Sequence, residues 1–274
     1  MASFCDISIT LIICFIAPIS MMAQAPTPVL TSYSSGTSEA DRFSQDKPIH
    51  HLNPALLPFY RQTTLSAHVE NRFTGFDLSS ISLQICHAFD HRFGVGISFF
   101  HFGIPEYHQS GIQAGVGRKL SKNLSLGFNQ RLSRIKAGGE GRPWSGQTSL
   151  SVMWMTDQNG LVISLDGLMP FGNYHPHSSP HPEFKLELAA FHQLHSHTEI
   201  FLMMKYESDR IFPVAAIKQV LIENIEIFAS FQIYPSRYGV GISFPLYPSL
   251  SCMISTQFHP VLGWSPSVGL QKSI

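Results

Sequence analysis

Residues 124–129 read Leu124-Ser125-Leu126-Gly127-Phe128-Asn129, with an apolar side chain at every second position. The same period returns in Ile225-Glu226-Ile227-Phe228-Ala229-Ser230-Phe231-Gln232-Ile233 and in Tyr238-Gly239-Val240-Gly241-Ile242-Ser243-Phe244. Successive side chains of a strand point to opposite faces, so each stretch builds one apolar face and one polar or tiny face. Helical spacing does not fit, and the glycine and β-branched content opposes a helix. Reading outward from these stretches, period two predicts about fourteen strands. They fall near 62–70, 77–88, 93–102, 109–119, 124–136, 146–156, 160–169, 183–194, 198–207, 211–221, 225–234, 237–246, 249–259 and 264–272. Each has about ten residues, the length that crosses a bilayer when tilted.

Two architectures use such strands. A soluble sandwich hides its apolar face and shows charge outside. A transmembrane barrel turns its apolar face to lipid and lines its lumen with polar groups. The polar faces here carry Ser, Gly, Gln and Asn more than Lys and Glu. The strands follow one another through short turns, as an up-and-down meander requires. Closure of the sheet also removes the unpaired backbone groups that lipid would punish. The expected fold class is therefore all-β, a transmembrane up-and-down antiparallel barrel in the bacterial outer membrane. Its surrounding lipid is its expected partner.

Composition agrees. The 274 residues hold 18 Lys+Arg and 18 Asp+Glu, and only 13% are charged. Mean hydropathy is +0.07. A neutral chain excludes a basic nucleic-acid binder, which needs positive excess to neutralise phosphates. A value near zero is what two cancelling faces give.

The N-terminus reads as an address. Ile9 to Ala23 is an apolar run interrupted by Pro18 and ending in Ala23-Gln24-Ala25, a cleavage-site pattern. Residues 1–25 are expected to be a signal peptide, although the start carries Asp6 and no Lys or Arg. Residues 26–61 are expected to be an N-terminal plug or a periplasmic segment, and 62–274 the barrel. Cys5 and Cys14 fall in the signal. Cys86 and Cys252 sit on strands with opposite parity and are expected to be free thiols.

Loop lengths add an orientation. With the N-terminus periplasmic, the two longest connections, 137–145 and 170–182, fall outside, where outer-membrane barrels carry their long loops. Past residue 207 the parity is less regular, because 245–249 reads as a long internal connection.

Chemistry is sparse. His175, His177 and His181 cluster in one loop, and His192, His195 and His197 across the next turn. Both groups read as solvated polar residues. Glu183, Lys185 and Glu187 share the polar face of one strand and are expected to form a lumen ladder, neutralising itself or pairing with Arg131 and Lys205. Gly138-Gly139-Glu140-Gly141 lacks the Lys-Ser/Thr of a phosphate loop and reads as a loop tip. No G-x-S-x-G elbow or H-E-x-x-H occurs. No catalysis, cofactor or metal is expected.

Arg92-Phe93-Gly94-Val95-Gly96-Ile97-Ser98-Phe99 is nearly restated by Arg237-Tyr238-Gly239-Val240-Gly241-Ile242-Ser243-Phe244. This reads as two strands meeting one demand: apolar groups toward lipid, glycine toward a crowded lumen, and an aromatic at the interface.

Asn53-Pro54-Ala55, then Leu65-Ser66-Ala67, Arg72-Phe73 and Leu78-Ser79-Ser80, and finally His259-Pro260-Val261-Leu262-Gly263-Trp264-Ser265-Pro266-Ser267-Val268-Gly269-Leu270 carry a resemblance. The chain resembles the outer-membrane barrels of Bacteroidetes-type bacteria. These are related to the long-chain fatty-acid transporter superfamily and to barrel components of type IX secretion. The resemblance implies about fourteen strands and an N-terminal segment whose Asn-Pro-Ala motif plugs the lumen, here Asn53, Pro54 and Ala55. Leu56 stands where that motif is usually followed by Gly, and Ile274 replaces the usual terminal aromatic. The function expected from both lines is a passive channel or transporter for a small, perhaps apolar, solute. The alternative is a non-conducting barrel that anchors or scaffolds a secretion or surface complex.

Overall fold

The computed structural model describes residues 31–274, except 48, 76, 91, 138–139, 142–143, 169–170, 173–183 and 223. The expected signal peptide and the cluster of His175, His177, His181 and Glu183 lie outside the described residues.

Fourteen long strands occur in chain order. β1 is Thr64–Arg72, β2 Leu78–Phe89, β3 Phe93–Ile104, β4 Tyr107–Lys119 and β5 Leu124–Ala137. β6 is Ser145–Met155, β7 Asn159–Asp166, β8 Lys185–His195, β9 Thr198–Glu207 and β10 Arg210–Ile222. β11 is Ile225–Gln232, β12 Arg237–Tyr247, β13 Leu250–His259 and β14 Gly263–Ser273. Two-residue ladders at Glu140–Gly141 and Phe171–Gly172 extend the wall beside β5 and β6. Every strand anticipated from period two is present, with ends displaced by at most three residues.

Each strand pairs antiparallel with its sequence neighbour, and β1 pairs with β14 from Thr64↔Ser273 to Glu70↔Ser267. The sheet therefore closes on itself and has no free edge. The connections differ at the two ends. At one, the turn end, they span two to four residues. At the other, the loop end, lie the long connections 138–144 and 167–184. The irregularity anticipated after residue 207 is corrected: β12 runs on to Tyr247, a register shift between Pro245 and Tyr247 absorbs the proline, and only Pro248-Ser249 remain as the turn.

The faces separate as lipid requires. Leu126 and Phe128 are 37% and 42% exposed, while Ser125 and Asn129 on either side of them are 0% and 1% exposed. Val69, Leu83, Phe99, Val152, Leu202, Val240 and Val268 continue the exposed apolar band round the wall. Phe231, Tyr238, Phe258 and Trp264 stack pairwise across β11 to β14 toward the loop end, as an interface girdle does. An apolar exterior this extensive has no stable home in water.

An eight-stranded barrel is just filled by its own side chains, so fourteen strands leave a lumen to be occupied. Residues 31–60 occupy it. They form a short helix, α1 (Ser32–Gly36), capped by Thr31, whose hydroxyl accepts from the Ser34 N–H at 2.9 Å. A connecting stretch follows, then a 3-10 turn at Pro54–Phe59. Tyr33, Asp41, Ile49, His50, Asn53, Leu56 and Leu57 are fully buried here, in a core shared with Met153, Phe201, Phe228 and Met253 of the wall.

Candidate functional site: the filled lumen

Asn53, Pro54 and Ala55 come together against β4, β5 and β6. Asn53 caps the 3-10 turn: its Oδ1 accepts from the Ala55 N–H at 3.1 Å. Pro54 takes the first helical position, where its missing N–H is no loss. Two wall serines then hold the turn. Ser151 Oγ accepts from the Ala55 N–H at 3.0 Å, and Ser125 Oγ donates to the Ala55 carbonyl at 2.7 Å. Asn53 Nδ2 donates to the Arg42 carbonyl at 2.8 Å, tying the turn to the rest of the segment.

The wall glycines make this approach possible. A Cβ at Gly127 would lie 2.1 Å from the Ala55 nitrogen, one at Gly117 2.4 Å from the Pro54 carbonyl oxygen, and one at Gly94 2.4 Å from the Leu57 carbonyl. All three contacts are to backbone, which cannot swing away. The near-repeat has its explanation in the same terms. Gly96 makes room for the His50 ring, Gly239 for the Gly36 carbonyl and Gly241 for the Phe228 ring.

Charge pairs bind the segment to the wall. Arg42 Nη2 lies 2.7 Å from Glu187 Oε2, with side-chain exposures of 3% and 7%. Arg42 Nη1 also donates to the Leu52 carbonyl at 2.7 Å. Lys47 Nζ lies 2.8 Å from Glu226, and Lys218 of β10 donates to Ser44 Oγ at 3.2 Å while pairing with Glu199. Tyr33 donates to Asp41, whose Oδ1 also accepts from the Phe43 N–H at 2.8 Å. The anticipated ladder is therefore corrected. Lys185 and Lys205 both pair with Glu207, and Glu187 is taken by Arg42. Arg131 donates to Gln113 and lies over the Phe100 ring, and among the described residues no ion pair joins it to the ladder. Period two places these side chains in the lumen but says nothing of a segment that coils between them, and no local pattern marks Arg42 as their partner.

Both remaining thiols are free and buried, on strand positions of opposite parity. Cys86 faces inward, with Sγ 3.1 Å from His50 Nδ1, whose Nε2 is 3.4 Å from Ser98 Oγ. His192 reaches Asn159 Oδ1 at 2.8 Å near the turn end. Among the described residues no group of three His, Cys, Asp or Glu is arranged to hold a metal ion.

Burial pushes His50 down to about 4 from an ordinary 6.5. Burial, then the neighbouring His50, Arg131 and Arg42, pushes His51 well below its ordinary value. Both docked imidazoles are thus neutral, whereas a released segment would protonate near 6.5. The released state binds more protons between these limits, so docking is fully stable above pH 6.5, weakens as pH falls to about 4, and changes little from His50 below that. The gap for His50 is worth about 3 kcal/mol. Planar-bilayer leak through the reconstituted protein is expected to rise across that window. His50→Gln is expected to remove part of the rise. A leak unchanged from pH 7 to 4 would contradict this.

At the turn end a cavity of about 820 Å³ opens below the segment. Its lining is mainly polar and charged, Asp46, Arg61, Lys122, Glu199 and Lys218 among it, with Phe43, Phe59, Phe191 and Met155 as the apolar part. Phe43 and Phe191 pack at 4.9 Å between ring centroids.

A closed fourteen-strand wall, an exposed apolar band and a polar lumen define an outer-membrane β-barrel. Solved structures share this fold. The chain is similar to the CymD monoaromatic hydrocarbon channel, with TM-score 0.69 over 89% of this chain and 97% of that one, at 11% identity. It is similar to the Ralstonia pickettii toluene transporter TbuX, with TM-score 0.63 over 89% and 98%, at 9% identity. It is also similar to the Pseudomonas putida toluene transporter TodX, with TM-score 0.60 over 89% and 98%, at 11% identity. No protein-family model and no curated protein sequence matches the chain.

Proposed function

We propose that this protein is a passive outer-membrane channel for a small apolar solute, with residues 31–61 as its plug and the turn at Asn53-Pro54-Ala55 as the gating element. The observation that carries the reading is the way this turn is held. Its backbone rests on Gly117 and Gly127 of the wall, and two serine hydroxyls hold it by bonds worth about 1 kcal/mol each. Such contacts can be released and remade without disturbing the strands. An apolar solute is supported by the hydrocarbon channels and transporters that share the fold, while the cavity at the turn end, lined mainly by polar and charged side chains, serves as its aqueous vestibule. Diffusion through the lumen needs no chemistry from the chain.

A second reading is favoured by the fullness of the lumen. A barrel whose interior is packed from Tyr33 to Leu57 also suits a non-conducting anchor for a secretion or surface complex, of the kind the resemblance to type IX barrel components implies. Uptake into proteoliposomes separates the two. The channel reading expects faster entry of a monoaromatic hydrocarbon than into protein-free vesicles, and little entry of a sugar of similar size. Equal rates with and without protein, together with stable co-purification of a large partner, would overturn it.

A further inference from the structure

A groove interrupts the apolar band on the outside of the wall. Its floor is Ala67, the smallest side chain in the outward row Leu65, Ala67, Val69 and Asn71 of β1. Register sets Leu270 of β14 and Leu83 of β2 directly opposite it, one on each side. Directly opposed side chains stand about 5 Å apart at Cβ, so the two leucines rise above the alanine methyl as the sides of a trough. Phe99 of β3, opposite Leu83, continues the β2 side. The trough holds about 430 Å³, within the range of ligand pockets.

One row nearer the turn end, Leu250, Lys272, Leu65, Ile85 and Ile97 lie side by side from β13 to β3. All five line the trough, and Lys272 is the charge among them. Among the described residues no ion pair involves Lys272, the Ile274 carboxylate included. Trp264, in the girdle toward the loop end, stands eight residues away on the same outward row of β14. Eight residues at about 3.4 Å each, tilted by about 40°, descend roughly 20 Å. That brings Lys272 near the far edge of an apolar band about 25 Å tall, where its four-carbon stem carries the ammonium to the headgroups. Tyr247 and Phe89, both exposed at the turn end, mark the same interface.

We propose that this groove binds one anionic phospholipid of the leaflet at the turn end, with an acyl chain over Ala67 and the headgroup phosphate on Lys272. Two observations carry it. The trough lies within the lipid-facing band, so an acyl chain is what reaches it. A cation stands at its mouth, at headgroup depth. Lipid and wall have no hydrophobic drive to associate, so the fit rests on packing along the trough and on attraction at the mouth. A zwitterionic headgroup brings its own ammonium and gains less from Lys272. Short connections belong to the periplasmic side of outer-membrane barrels, which makes this the periplasmic leaflet. Arg118 of β4 is also an outward cation near the turn end, but it lies four strands from Lys272, about 19 Å round the wall, and outside the trough. The site depends on the barrel's place in the membrane and not on whether its lumen conducts.

Native mass spectrometry of the detergent-solubilised barrel, titrated with dioleoyl phosphatidylglycerol and then with dioleoyl phosphatidylcholine, tests this. The parent is expected to take one phosphatidylglycerol roughly 5-fold more tightly than phosphatidylcholine, which is about 1 kcal/mol for one lysine. Lys272→Gln is expected to abolish that preference, and Arg118→Gln to keep it. Ala67→Phe fills the trough from outside the lumen and is expected to lose the first bound lipid of either kind. Heat-modifiable migration of each variant shows that the barrel has closed. A preference unchanged in Lys272→Gln would overturn the proposal, as would lipid held by Ala67→Phe at the parent's level. A dimer that Ala67→Phe dissociates, with no lipid bound to the parent, would overturn it as well and assign the groove to a second copy of the chain.

Discussion

Replacing Gly127 with leucine is expected to force the Pro54-Ala55 turn off the wall while leaving the barrel closed. The first added atom would lie 2.1 Å from the Ala55 nitrogen and 2.2 Å from the Pro54 carbonyl carbon, and neither can yield without moving the turn. Overpacking of this kind costs about 1–3 kcal/mol, and the Ser125 and Ser151 bonds lost with the turn add about 1 kcal/mol each. The strand itself gains a better strand former than glycine. Cys86, buried against His50, reports the outcome. In a Cys252→Ser background, maleimide labelling of Cys86 in the folded barrel is expected to rise by about 100-fold or more, following about 3 kcal/mol at tenfold per 1.4. Phe128→Leu, one residue on but facing lipid, is expected to leave labelling unchanged. Labelling of Gly127→Leu at the parent rate would show that the turn does not rest on this glycine.

The second large effect belongs to Arg42 and Glu187. Each is almost wholly removed from water, so deleting one leaves the other as an uncompensated buried charge, at a cost of about 3–5 kcal/mol. Arg42→Ala is expected to cost more than the pair itself contributes, because the Leu52 carbonyl also loses its donor. Arg42→Met/Glu187→Leu removes both charges and keeps the volume. It is expected to recover most of the docking lost in Arg42→Ala, as judged by Cys86 protection. Additive losses in the double variant would mean that the two side chains do not act as a pair. Melting of the barrel, followed by the gel shift on heating, is expected to change far less than Cys86 protection in each case. The fourteen-strand ladder does not pass through Arg42.

These two sites show what local pattern reveals and what it conceals. Alternation such as Leu124-Ser125-Leu126-Gly127-Phe128 is a property of one strand and its two environments, so strand positions and facing could be read directly. Loop asymmetry followed from the same count. The mispairings came from the lumen. Glu187 and Arg131 were correctly placed on the polar face, but their partners are chosen by how residues 31–60 coil inside. That stretch has no period. Arg42, Asp41 and Lys47 look like solvated loop residues until the wall surrounds them. The glycines carried a readable hint: Gly94, Gly96, Gly239 and Gly241 in two matching strands implied a crowded interior, without saying which backbone crowds it.

The apolar row of each strand faces lipid and the polar row faces an enclosed lumen. The three tryptophans of the native chain test it without mutation. Trp154 and Trp264 point outward from β6 and β14, and Trp144 is exposed at the edge of β6. Their fluorescence in reconstituted vesicles should be quenched strongly by brominated phospholipid and weakly by aqueous iodide. Emission insensitive to brominated lipid but quenched by iodide would place these rings in water and contradict the membrane barrel.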